Sequence, residues 1–82
     1  MKVVLLPQAA EDLDEIADPL FSRIIGRIES LKQFPSLGAP MFGPFSTYRS
    51  FVVGLFRVVY RVRTKTIVEI AYVRHCRRRP VA

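Results

Sequence analysis

Several ingredients are scarce in this chain. It has one cysteine, Cys76, so no internal disulfide can form, and a reducing cytoplasmic setting is expected. It has one histidine, His75. With no paired cysteine and no second histidine, neither a metal nor another cofactor is expected. Long apolar runs are missing too. Val3–Leu6 is halted by Pro7 and the acids after it, which argues against a signal h-region. No stretch approaches membrane-spanning length, so no membrane partner is expected. Repeats, low-complexity tracts, a glycine-rich phosphate loop and a Ser/His/Asp set are absent.

Acid is scarce in one half only. Residues 1–48 carry net charge −2, whereas residues 49–82 carry +8, with Glu69 the single acid against Lys65 and eight arginines. A positive field this concentrated suits an anionic partner, either nucleic acid or an acidic protein segment. Arginine is the better bidentate donor to either.

What is present supports one small α+β domain over residues 1–82, with 74–82 as a basic tail. Val3–Leu6 reads as a strand. Ala9, Leu13, Ile16, Ala17 and Leu20 follow at helical spacing, with Glu11, Asp12, Asp14 and Glu15 on the other side, favouring an early helical turn. Asp18-Pro19 breaks this helix and starts another, Asp18 as N-cap and Pro19 in the first helical position. Phe21, Ile24, Ile25, Ile28 and Leu31 share a face of the second helix, which Pro35 ends. The pair forms an αα-hairpin. Residues 35–46 form a loop rich in turn residues, and strands follow at roughly 47–53, 56–63 and 66–73.

Two tight turns would set the register of these strands. Gly54-Leu55 suits a two-residue turn with glycine first. It pairs Val53 with Phe56, Phe51 with Val58 and Arg49 with Tyr60. A two-residue turn at Thr64-Lys65 would pair Val62 with Ile67, Tyr60 with Glu69, Val58 with Ala71 and Phe56 with Val73. These side chains share the helix-facing side, apolar except for one row, Arg49–Tyr60–Glu69. The opposite side then holds Tyr48, Val52, Arg57, Val59, Arg61, Arg63, Val68, Ile70, Tyr72 and Arg74. Cations interleaved with aromatics suit a docking surface for a partner both anionic and flat or apolar.

The order strand, two helices, three-stranded meander (β-α-α-β-β-β, helices on one sheet face) resembles the RelE/ParE toxin superfamily, which includes plasmid-stabilisation proteins. Gly54-Leu55-Phe56-Arg57-Val58-Val59-Tyr60-Arg61-Val62 resembles that family's central hairpin. Ile67-Val68-Glu69-Ile70 and Val73-Arg74-His75-Cys76-Arg77-Arg78 resemble its last strand and ending. Ala10, Leu13, Ile16, Pro35 and Gly38 fall at its helix and loop landmarks.

The resemblance implies a growth-inhibiting toxin, neutralised in a hetero-oligomer by an acidic antitoxin that wraps it. Two targets occur in the family. ParE-like members bind DNA gyrase; RelE-like members cut mRNA on the ribosome. In the second case Arg57 and Arg61 would stabilise phosphate and His75 would act as general acid or base. The strand Tyr48-Arg49-Ser50-Phe51-Val52 lacks the lysines of such nucleases, and no tyrosine follows Arg79, so the expectation leans to ParE-like binding. Tyr48, Arg57, Arg61, Arg63, Tyr72, Arg74, Arg77, Arg78 and Arg79 are the expected partner- or nucleic-acid-binding residues. A basic nucleic-acid-binding module without toxicity is the third reading.

Overall fold

The computed structural model describes residues 1–76. Strand β1 (Lys2–Leu5) runs directly into helix α1 (Pro7–Asp14), because the fixed φ of Pro7 suits the start of a helix. This start moves the acids. Glu11, Asp12 and Asp14 lie in the later half of α1, not in the early turn the spacing predicts. Nor does the helix continue through Ile16 and Ala17. It closes at Glu15, whose N–H donates to the Asp12 carbonyl while that of Ile16 donates to Leu13.

Helix α2 (Leu20–Ser30) follows the Asp18-Pro19 break. Pro19 is the cap residue here, one position later than predicted. Asp18 still serves the helix start, accepting the Ser22 N–H at 2.9 Å. Ile24 and Ile28 are buried, with Leu31 just past the helix end.

The predicted loop 35–46 contains a short strand, β2 (Ala39–Pro40), and a 3₁₀ turn at Gly43–Phe45. Its first part is pinned from beneath. Tyr60 has no exposed surface; its hydroxyl accepts the Gly38 N–H and donates to the Pro35 carbonyl, both at 2.8 Å. Burial pushes the Tyr60 hydroxyl pKa up, partly offset by the Gly38 N–H and the nearby Arg49 charge. Arg49 Nη1 donates to the Gly38 carbonyl at 2.6 Å. A Cβ on residue 38 would lie 2.7 Å from the Ser50 carbonyl oxygen, so only glycine fits without a shift.

Strands β3 (Arg49–Val53), β4 (Phe56–Val62) and β5 (Ile67–His75) complete a five-stranded sheet of order β1-β5-β4-β3-β2. β1 pairs with β5 in parallel; the other pairs are antiparallel. The first hairpin has the predicted register, Arg49 opposite Tyr60, Phe51 opposite Val58 and Val53 opposite Phe56. Gly54 takes the positive φ, +59°, that such a turn requires.

The second hairpin departs from its predicted register. Val62 faces Val68, Arg61 faces Glu69 and Tyr60 faces Ile70, because the loop is one residue longer than a two-residue turn. The Thr64 hydroxyl accepts the Thr66 and Ile67 N–H groups and stabilises that wider loop. The slip turns Val68 and Ile70 inward and Glu69 outward, so the row Arg49–Tyr60–Glu69 does not form. A β-bulge then leaves Ala71 without a cross-strand partner and restores the phase. Beyond it Val59 faces Tyr72, Val58 faces Val73 and Phe56 faces His75. Val73 is therefore buried on the helix side as predicted, while Ala71 faces the other way.

The core lies between the helices and one sheet face. Ala9 and Leu13 of α1 and Ile24 and Ile28 of α2 meet Phe51, Val53, Val58, Tyr60, Val68, Ile70 and Val73. The Asp12 carboxylate accepts the Val73 N–H at 2.9 Å, beyond the last residue that β1 pairs. A side chain from α1 thus takes over where the neighbouring strand has ended.

Candidate functional site

The sheet face away from the helices carries the predicted binding residues. Arg57 and Arg61 alternate with the buried inward residues Val58 and Tyr60, so strand periodicity aims both guanidinium groups outward. Arg57 reaches the Ser50 hydroxyl only at 3.5 Å, and Arg74 lies directly opposite it on β5. Arg61 stands over the Tyr48 ring at 5.6 Å and Arg74 over the Tyr72 ring at 5.0 Å. Each pairing is a cation–π contact. Arg77, Arg78 and Arg79 lie outside the described residues.

Glu69 organises one end of this face. Its side chain is only 6% exposed, and both oxygens are engaged, by Arg61 Nε at 3.0 Å and Arg63 Nη1 at 2.7 Å. The hydrogen bonds from Arg63, then Arg61, hold its carboxyl below the usual carboxylate range, against the opposing effect of burial. One carboxylate thus holds two guanidinium groups there, leaving the cluster with a net positive charge. At the other end Asp12 approaches Arg74 no closer than 3.9 Å.

Between the two ends, Phe45, Tyr48, Val59, Ala71 and Tyr72 line an open cavity of about 170 Å³. Ser50 and Val59 are buried on this side, beneath side chains that rise over the sheet. Phe45 and Glu69 were not among the predicted binding residues. Glu69 was discoverable: it is the one acid among the arginines of the second half, and a carboxylate aimed at Tyr60 in the core would have been costly. Phe45 offered no such signal, since its loop has no periodicity.

His75 is placed apart from Arg57 and Arg61. It faces Phe56 across the sheet, and the two rings meet edge to face with centroids 5.2 Å apart. Phe56 packs against the core, so the imidazole belongs to the helix-side face. Among the three candidate catalytic residues, the fold groups the two arginines and separates the histidine. Among the described residues, no helix is long and apolar enough to cross a membrane.

The sequence matches the family described as the ParE toxin of the type II toxin–antitoxin system parDE, over residues 3–80. Solved structures share the fold. The toxin–antitoxin complex RelBE2 from Mycobacterium tuberculosis is 24% identical with a TM-score of 0.79, covering 89% of this chain and 94% of that one. The chromosomal ParDE system from P. aeruginosa is 20% identical with a TM-score of 0.73, covering 92% and 95%. The intact RelBE complex from E. coli is 13% identical with a TM-score of 0.76, covering 93% and 96%. No curated protein matches the sequence.

Proposed function

The chain belongs to the ParE toxin family of type II toxin–antitoxin systems, within the RelE/ParE superfamily, and from that membership we propose that it arrests growth by binding its target, without hydrolysis. DNA gyrase is the target this reading expects, in the cytoplasm, with a cognate acidic antitoxin as neutralising partner in a hetero-oligomer. One observation carries the preference for binding over cleavage. The single imidazole of the chain packs against Phe56 on the helix side, while Arg57 and Arg61 project from the opposite side. In-line attack by a 2′-hydroxyl requires a proton acceptor and a proton donor at one phosphate. Arginine supplies neither at neutral pH, only charge.

A second reading, a ribosome-dependent mRNA endoribonuclease, has its own support. Arg57 and Arg74 are cross-strand neighbours, so two guanidinium groups are available to one phosphate. Induction of the chain in a bacterium, with growth, DNA supercoiling and mRNA ends followed together, separates the readings. Gyrase arrest with intact mRNA is the expected result. Codon-phased mRNA cuts that vanish in Arg57→Ala would reject it in favour of the nuclease. Good soluble expression with no effect on growth would reject both.

A further inference from the structure

A half-chain with Lys65, eight arginines and one acid should gather any polyanion, since phosphate contacts are additive and indifferent to sequence. The position of that one acid bears on this tendency. A carboxylate on a basic face would ordinarily be solvated. Glu69 is instead 6% exposed, and each of its oxygens accepts from a different guanidinium. Arg61 and Arg63 themselves remain 38% and 59% exposed. The anion is covered and its cations are open. A phosphate approaching either arginine would share the guanidinium with Glu69 and meet a fixed negative charge at short range. At the opposite end Asp12, held by the Val73 N–H, stands 3.9 Å from Arg74. A polyanion laid along the face therefore meets a carboxylate at both ends.

We propose that Glu69 is a specificity-determining residue: it withholds Arg61 and Arg63 from phosphate and so excludes nucleic acid from the outer face. The proposal rests on the binding reading, because a nuclease needs the strand on this face and a toxin with a protein target does not. Exclusion by a built-in like charge is a repulsive element of specificity, set against what the net charge would otherwise attract. The clasp reaches the stacking platform as well. Arg61, held by Glu69, lies over the Tyr48 ring and covers a face on which a base would stack. Arg57 is a useful contrast, since it reaches a neutral group, the Ser50 hydroxyl, at 3.5 Å. A purely structural role for Glu69 would alter stability on substitution and leave the number of phosphates the face can hold unchanged.

The test measures binding of the full chain to a short labelled single-stranded RNA by fluorescence anisotropy, over a series of salt concentrations at neutral pH. Glu69→Gln is expected to bind about tenfold tighter at low salt and to steepen the fall of log affinity with log salt by about one, as two further phosphate contacts require. Asp14→Asn makes the same change of net charge at an exposed position on α1. It should shift affinity by less than about threefold and leave the slope unchanged. In the Glu69→Gln chain, Arg63→Gln should remove much of the gain. Without Glu69→Gln, substitutions at two exposed sites keep the question open to test if that variant folds poorly. There Arg63→Gln should weaken RNA binding less than Arg57→Gln, because Arg63 is already engaged.

An unchanged salt slope in Glu69→Gln, an equal gain in Asp14→Asn, or a loss in Arg63→Gln as large as that in Arg57→Gln would each overturn the proposal. Gyrase arrest by a chain whose Glu69→Gln variant gains no RNA affinity would defeat this inference and leave the binding reading standing. A steeper slope in Glu69→Gln, from a chain that has no effect on growth, would do the reverse.

Discussion

The helix-side and outer faces of the sheet are built from the same strands, residue by residue in alternation, yet they solve opposite problems. The helix side is mostly apolar and closed: Val58, Tyr60, Val68 and Ile70 are fully buried, and the Tyr60 hydroxyl has both a donor and an acceptor, with Arg49 and His75 at the margins. The outer side is charged and open, with Arg57 and Arg74 exposed and Val52 46% exposed. Buried apolar surface is concentrated on the first face and exposed charge on the second. The period of two that separates them allows either to change with little disturbance of the other.

The sharpest way to break the contrast is from the closed side. Tyr60→Ala removes a fully buried ring and both bonds that hold the Pro35–Gly38 segment, and should cost about 3–5 kcal/mol in urea denaturation. A loss below about 1 kcal/mol, the scale of an ordinary surface change, would contradict that account.

Asp12→Ala comes next. It strands the Val73 N–H at the junction of α1 and β5, at a cost of about 1–3 kcal/mol, and Asp12→Asn should recover most of it by keeping an acceptor. If the two variants unfold at the same urea concentration, the carboxylate is not acting as the acceptor.

Glu69→Gln gives a smaller effect that depends on pH. The folded state lowers the pKa of this group, so its contribution is complete at neutral pH. That contribution disappears as pH falls from the usual carboxylate range through the lowered folded value. The urea midpoints of wild type and Glu69→Gln should therefore differ at neutral pH and converge in acid. A gap that stays constant on acidification would rule out the clasp with Arg61 and Arg63 as its source.

Arg57→Ala should change stability least, by about 0.5 kcal/mol or less, because the group is exposed and its hydrogen bond to Ser50 is a long one. The same variant should lose growth arrest. Unfolding in parallel with loss of activity would show that the two faces are not separable.

How far the sequence could be read follows the same division. The helices, the Gly54 hairpin and the outward aim of Arg57 and Arg61 were legible because each rests on strong local chemistry: proline at a helix start, glycine at positive φ, strict alternation. The second hairpin was not. Thr64, Lys65 and Thr66 carry no glycine to declare a turn type, and the loop is fixed by a threonine hydroxyl whose bonds depend on the backbone already being wide. The bulge at Ala71 is less visible still. It cancels the phase error of the loop, so Tyr72, Val73 and Arg74 point where a two-residue turn would have aimed them, while Val68 to Ile70 do not. The mispredicted stretch included Glu69, and with it the charge organisation of the candidate site.

The parallel pairing of β1 with β5 has a consequence for biosynthesis. Lys2 to Leu5 align with Ile67 to Ile70, so the first strand off the ribosome waits for one of the last before its inner edge is satisfied. Contacts this remote in sequence make closure a late event. The arginine-bearing surface, which needs β4 and β5 side by side, therefore cannot assemble on a half-made polypeptide. A truncated product that stops before Ile67 lacks β5 and so presents no such surface.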